Sequence, residues 1–153
     1  YTSGIIEIKS DGTPWRPAVH IKDVCSAFIA GLEAPSALVA GKAFNVGVKQ
    51  GNFSVKELAE AAQRTVPDSE LAFTSEHIRE ARTYKVSFRR ILSELKDYYQ
   101  PEWNLDLGGK ELIDCFKKVK FSEEDFRGKN FVRIKQLQFL QKRNIINQEL
   151  RDS

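Results

Sequence analysis

Arg16-Pro17-Ala18-Val19-His20-Ile21-Lys22-Asp23 is the stretch on which the reading of the fold turns. An arginine opens an extended apolar run and a histidine closes it. An aspartate follows where its side-chain oxygen can cap a helix. Just upstream, Asp11-Gly12-Thr13-Pro14 has the composition of a turn, and Ile5-Ile6-Glu7-Ile8-Lys9 that of a short strand. Pro17 has no N–H to give to a sheet ladder, so Trp15 to Ile21 is expected to be an edge or irregular strand. Beyond it, Val24, Phe28 and Leu32 recur at spacings of four, with Cys25 and Ile29 beside them. That pattern predicts a helix packed through its large side chains.

Further along, Ala43-Phe44-Asn45-Val46-Gly47-Val48 reads as a compact strand, followed by a polar Gly-Asn turn. Ser54 and Glu57 have capping-box spacing, Phe53 and Leu58 take the staple positions, and Val55, Leu58, Ala59, Ala62 and Val66 form an apolar stripe down to Pro67. Leu71-Ala72-Phe73 is a short strand, His77 to Arg82 is loop-like, and Tyr84 to Phe88 looks extended. Ser87 is placed to cap a helix holding Ile91, Leu92 and Leu95. Gly108-Gly109 is expected to precede a helix through Leu112, Ile113, Cys115, Phe116 and Val119, and a last helix is expected from about Phe131 to Gln141. The result is an α/β chain of short strands and several helices. It divides into residues 1–107 and a helical C-terminal extension, 108–153.

A chain of 153 residues suits one domain with a real core. It has no apolar run near the ~20 residues a membrane helix needs and no signal-peptide pattern, so no membrane partner is expected. Cys25 and Cys115 each sit in a helical pattern among apolar neighbours. They are expected to be reduced core thiols, which favours a cytoplasmic setting. There is no CxxC, and His20 and His77 share no ligand spacing with the cysteines, so no metal is expected. The sequence contains no methionine and starts on Tyr1-Thr2-Ser3-Gly4, and we expect it to be a C-terminal part of something longer. Residues 110–153 carry eleven Lys or Arg against seven Asp or Glu, a net +4 that leaves −1 for the remainder. Because these charges are interleaved with acids and apolar residues, they suit the solvated face of a helix better than a nucleic-acid surface.

Whole catalytic sets are missing from the sequence. There is no GxGxxG-type loop, no nucleophile elbow, no Walker motif, no HExxH, and no tyrosine with a lysine four positions on. What remains is a set of polar residues beside turns. Arg16 and Arg82 each follow an irregular segment and precede an extended one. Two guanidinium forks converging from separate segments suit a diphosphate. From spacing alone, a structural salt bridge is the more ordinary role for each. His20 next to Asp23 suggests a general base, but a histidine closing an apolar strand is more often packed and hydrogen-bonded. Asn45 is placed to satisfy backbone groups, whereas Asn52 lies in a turn from which it could reach a ligand.

Ile6-Glu7-Ile8, the Asp11-Gly12 turn, Arg16, Val19-His20-Ile21-Lys22-Asp23-Val24 and Phe44-Asn45-Val46-Gly47 together resemble the C-terminal part of extended short-chain dehydrogenase/reductases. These are the NAD-dependent nucleotide-sugar epimerases and dehydratases. Arg82-Thr83-Tyr84-Lys85-Val86-Ser87-Phe88 resembles the family's second arginine segment, and Phe126 to Arg151 is similar to a C-terminal extension in one branch of it. The resemblance implies a Rossmann-like fold lacking its N-terminal dinucleotide-binding half, with NAD or NADP bound by the full-length protein and none by this chain. It implies that Arg16 and Arg82 contact the diphosphate of a nucleotide sugar, and more weakly that Asn52 approaches the nucleotide. The position that is usually aromatic in the first arginine segment holds Ala18. The isolated chain is expected to be inactive and to self-associate. The reading set against it is a non-catalytic interaction module whose basic helical tail binds protein or nucleic acid.

Overall fold

The computed structural model describes residues 1–74 and 83–152 and divides them into two units, Gly4–Leu112 and Tyr1–Ser3 with Ile113–Ser153. In the first unit the strand signals become β1 (Ile5–Ile8), β2 (Trp15–Pro17), β3 (Asn52–Ser54) and β4 (Glu70–Phe73). β1 pairs with β4 in parallel, and β2 pairs with β3 antiparallel. The β1–β2 turn is set by Gly12, whose φ of +81° is costly for any side chain. Asp11 supports it, its Oδ1 accepting the Thr13 N–H at 3.0 Å.

α1 (Ile21–Glu33), α2 (Ser36–Val39), α3 (Val55–Thr65) and α4 (Arg89–Glu94) complete most of this unit. α3 begins on the capping box its sequence advertised: Ser54 Oγ accepts the Glu57 N–H at 3.2 Å and Glu57 Oε2 accepts the Ser54 N–H at 2.7 Å. Both Ser54 donors hold the Glu57 carboxyl below the usual carboxylate range, and the Lys85 charge adds to the effect. α3 buries Ala59 and Ala61 and packs on β1, β3 and β4.

The core lies between α1 and α4. Ala27, Ala30 and Ala34 meet Phe88, Ile91, Leu95 and Tyr99, with Phe44, Val46 and Val86 packed around them. This corrects the packing expected for α1. The helix is buried through its alanines, which admit a close neighbour, while Phe28 is 71% and Leu32 86% exposed. Cys25 and Cys115 are also exposed, not core thiols. The helical period places each of them correctly in a helix, but the face they occupy is not the packed one.

Three local expectations also change. Asp23 is not the helix cap. His20 is, with Nδ1 accepting the Lys22 N–H at 3.3 Å, while Asp23 sits within the first turn and is buried. α4 starts from Phe88 with no side-chain cap, so Ser87 does not serve. Residues 43–48 belong to no strand among the described residues. Strand character needs a neighbouring strand to bond to, and neither two-stranded pair extends to them.

α5 (Leu105–Lys118) begins earlier than the Gly108-Gly109 pair suggested. Asn104 Oδ1 accepts the Leu107 N–H at 2.9 Å and starts the helix, and the glycines lie inside it. Both permit close approach. A Cβ on Gly109 would lie 2.4 Å from Thr65 Oγ1, and one on Gly108 would lie 3.1 Å from His20 Cδ2.

In the second unit, α6 (Glu123–Arg127) carries another capping box, between Ser122 and Asp125, and α7 (Arg133–Lys142) follows. Phe116 stacks on Phe121 at 4.6 Å, and Phe121 meets Phe131 edge-on at 4.9 Å. The cations of Lys129 and Arg143 lie 3.4 and 5.0 Å from the centre of the Phe139 ring. Among the described residues no helix is long and apolar enough to cross a membrane.

Candidate functional site

β2 carries Arg16, and its register with β3 sets Trp15 opposite Ser54, Arg16 opposite Phe53 and Pro17 opposite Asn52. Side chains alternate along a strand, so those of Arg16 and Asn52 leave the ribbon on opposite faces. Arg16 Nη1 donates to the Trp15 carbonyl at 2.7 Å, and its guanidinium lies 5.8 Å from the centre of the Tyr84 ring.

The segment from Thr83 runs beside β2. Thr83 Oγ1 accepts the Trp15 N–H at 3.0 Å, and the Tyr84 N–H donates to the Trp15 carbonyl at 3.4 Å. On the other face of the ribbon from Arg16, the Lys85 ammonium sits 3.3 Å from the centre of the Trp15 ring. Arg82, the residue before Thr83, lies outside the described residues. Asn52 is in β3 and not in an open turn. Its amide nitrogen donates to the Val86 carbonyl at 2.9 Å and its Oδ1 accepts the Val86 N–H at 2.7 Å. It therefore ties the segment after Thr83 to the ribbon. Asn45 donates to the Ser87 carbonyl at 3.3 Å, the backbone role expected of it.

His20 is held on three sides. Its ring stacks on Trp103 at 3.9 Å, Nδ1 caps α1, and Nε2 is 2.9 Å from Glu111 Oε2. Lys22 also pairs with Glu111 and lies over Trp103, and its hydrogen bond is the largest influence keeping the Glu111 carboxyl below the usual range. This is a clasp between the start of α1 and α5. Sequence spacing could not show it, because Glu111 lies on a different helix. A small apolar cavity of about 190 Å³ opens beside it, lined by Ala18, Val19, His20, Phe53, Trp103 and Leu112 among others. Among the described residues no group of three or more His, Cys, Asp or Glu could hold a metal ion.

The fold that carries this arrangement is similar to part of the fold of several dehydrogenases and epimerases of known structure. The chain superimposes on L-threonine dehydrogenase from Phytophthora infestans with a TM-score of 0.60 at 14% identity, covering 75% of this chain and 38% of that one. It superimposes on UDP-glucuronic acid 4-epimerase from Bacillus cereus, solved with UDP-glucuronic acid and NAD, with a TM-score of 0.58 at 21% identity over 74% and 35% of the two chains. L-threonine dehydrogenase from Clostridium difficile gives 0.62 at 15% identity over 77% and 37%. The chain thus spans under two-fifths of the length of each of these proteins. Residues 3–47, the stretch from before β1 to Gly47, match the NAD dependent epimerase/dehydratase family.

Proposed function

We propose that the chain is the substrate-binding portion of an NAD(P)-dependent epimerase or dehydratase, holding a nucleotide sugar by its diphosphate through Arg16 and Arg82. The supporting observation is the pairing of the two arginine segments. Thr83, next in sequence to Arg82, bonds to Trp15, next in sequence to Arg16. Asn52 enters as a positioning residue, holding the second segment to β3 through both of its hydrogen bonds to Val86. The match of residues 3–47 to the epimerase/dehydratase family supports the class of reaction. The 153 residues contain no Gly-rich strand–helix turn, so they do not fit as the cradle of the dinucleotide. On this reading the chain's work is to bind and orient, and each arginine offers the diphosphate oxygens a fork of N–H donors.

Kinetics of the protein that carries this chain test the assignment. A charge-assisted anchor is worth about 2 kcal/mol, so Arg16→Ala and Arg82→Ala should each raise KM for the nucleotide sugar roughly thirtyfold. Arg16→Lys should recover only part of the loss, because an ammonium cannot offer the planar fork. Unchanged KM in both alanine variants would overturn the proposal. It would equally favour a substrate without phosphates, a possibility the likeness to L-threonine dehydrogenases leaves room for.

A further inference from the structure

A second cavity, of about 430 Å³, lies at the start of α4 and is lined by Lys49, Asn52, Val86, Ser87, Phe88, Arg89, Leu92 and Ser93. Two cations reach it from segments far apart in sequence, and among the described residues its lining contains no acidic side chain. Both Lys49 and Arg89 are exposed, and among the described residues neither side chain has an ion pair, hydrogen bond or ring contact. Other basic groups nearby are already engaged: Arg90 and Lys42 both pair with Glu94.

The scaffold that brings the two together is well defined. Asn52 clamps Val86 through two hydrogen bonds, and the Phe88 ring sits against Gly47 and Gly51, where no side chain intervenes. These contacts fix the 47–51 loop, which carries Lys49, against the turn into α4, which carries Arg89. Two like charges lining one cavity, with no counter-charge among the described residues that line it, favour a bound anion. Val86 and Leu92 supply an apolar wall beside them.

We propose that this cavity binds a phosphate-bearing small molecule, its phosphate between Lys49 and Arg89 and its apolar portion against Val86 and Leu92. The site is separate from Arg16, which leaves the ribbon on the face opposite Asn52. It does not depend on the nucleotide-sugar assignment, and the two readings can fail independently.

Amide NMR shifts of the whole chain, titrated with inorganic pyrophosphate, provide the test. Saturable shifts are expected at residues 47–52 and 87–93. They should persist in Arg16→Ala and weaken tenfold or more in Lys49→Ala/Arg89→Ala. Both replaced side chains are exposed, and unchanged shifts elsewhere will show that the double variant is folded. No saturable shift in those segments, or one of equal strength in the double variant, overturns the site. A parallel titration with a phosphate monoester carrying an apolar group should bind more tightly than inorganic phosphate. Equal affinity would remove the apolar wall from the proposal.

Discussion

Asp23→Ala is expected to lower the stability of the chain by about 3 kcal/mol, read as a clear fall in the urea midpoint at unchanged slope. Asp23 is 2% exposed, and its carboxylate accepts the N–H groups of Glu102 (3.0 Å) and Trp103 (3.2 Å). Truncation leaves two part-buried donors without a partner, and each such donor costs about 1–3 kcal/mol. It also releases the segment that brings Trp103 under His20. A second readout separates this role from general loss of packing. Burial chiefly, with the Asp23 charge adding to it, pushes the Tyr99 hydroxyl up to about 12. In Asp23→Ala the Tyr99 titration should therefore move down, while in Ile91→Val, an ordinary core change, it should stay. A raised tyrosine pKa contributes stability that is complete below about 10 and is lost as pH climbs toward about 12, so the alkaline limb of the stability curve should also shift. An unmoved urea midpoint would mean that the Asp23 bonds are not formed in solution.

Gly47→Ala is expected to be comparably severe, costing about 3 kcal/mol. Its Cβ would lie 2.3–2.6 Å from three atoms of the Phe88 ring, far inside contact distance. The ring cannot swing clear, because it is 6% exposed and rests on Gly51 as well. Tyr99 adds a constraint by donating its hydroxyl to the Gly47 carbonyl at 3.2 Å. The clash has a specific partner, so it should be relieved by shrinking that partner. Phe88→Leu alone should destabilise, yet combined with Gly47→Ala it should cost less than the two effects added. Strict additivity in thermal melts would show that the glycine is not there for the ring.

What could be seen in the sequence was what is decided locally. The start of α3 needs only Ser54, Glu57 and their neighbours, and it formed where its spacing placed it. The Ser122–Asp125 box was equally local and could have been found by the same search. Features that depend on a distant partner were not visible. Asp23 looked like a cap because aspartate often is one, but its carboxylate bonds to residues 102 and 103. Residues 43–48 have strand composition but, among the described residues, no strand to pair with. The apolar spacing of α1 was real, yet the packed face is the alanine face, because small side chains let α4 approach. Arg16 could be singled out from its position after a turn. The convergence of Lys49 and Arg89 could not, since it rests on the Asn52–Val86 clamp and on two glycines under one ring.

The diphosphate anchor on β2 is the claim on which the account depends most. Titrating UDP into the chain and following its amide shifts tests it most directly. The account predicts saturable shifts at Trp15 to Ala18 and Thr83 to Lys85, with affinity reduced tenfold or more in Arg16→Ala. Shifts absent from both segments, or unchanged in affinity in Arg16→Ala, would contradict it.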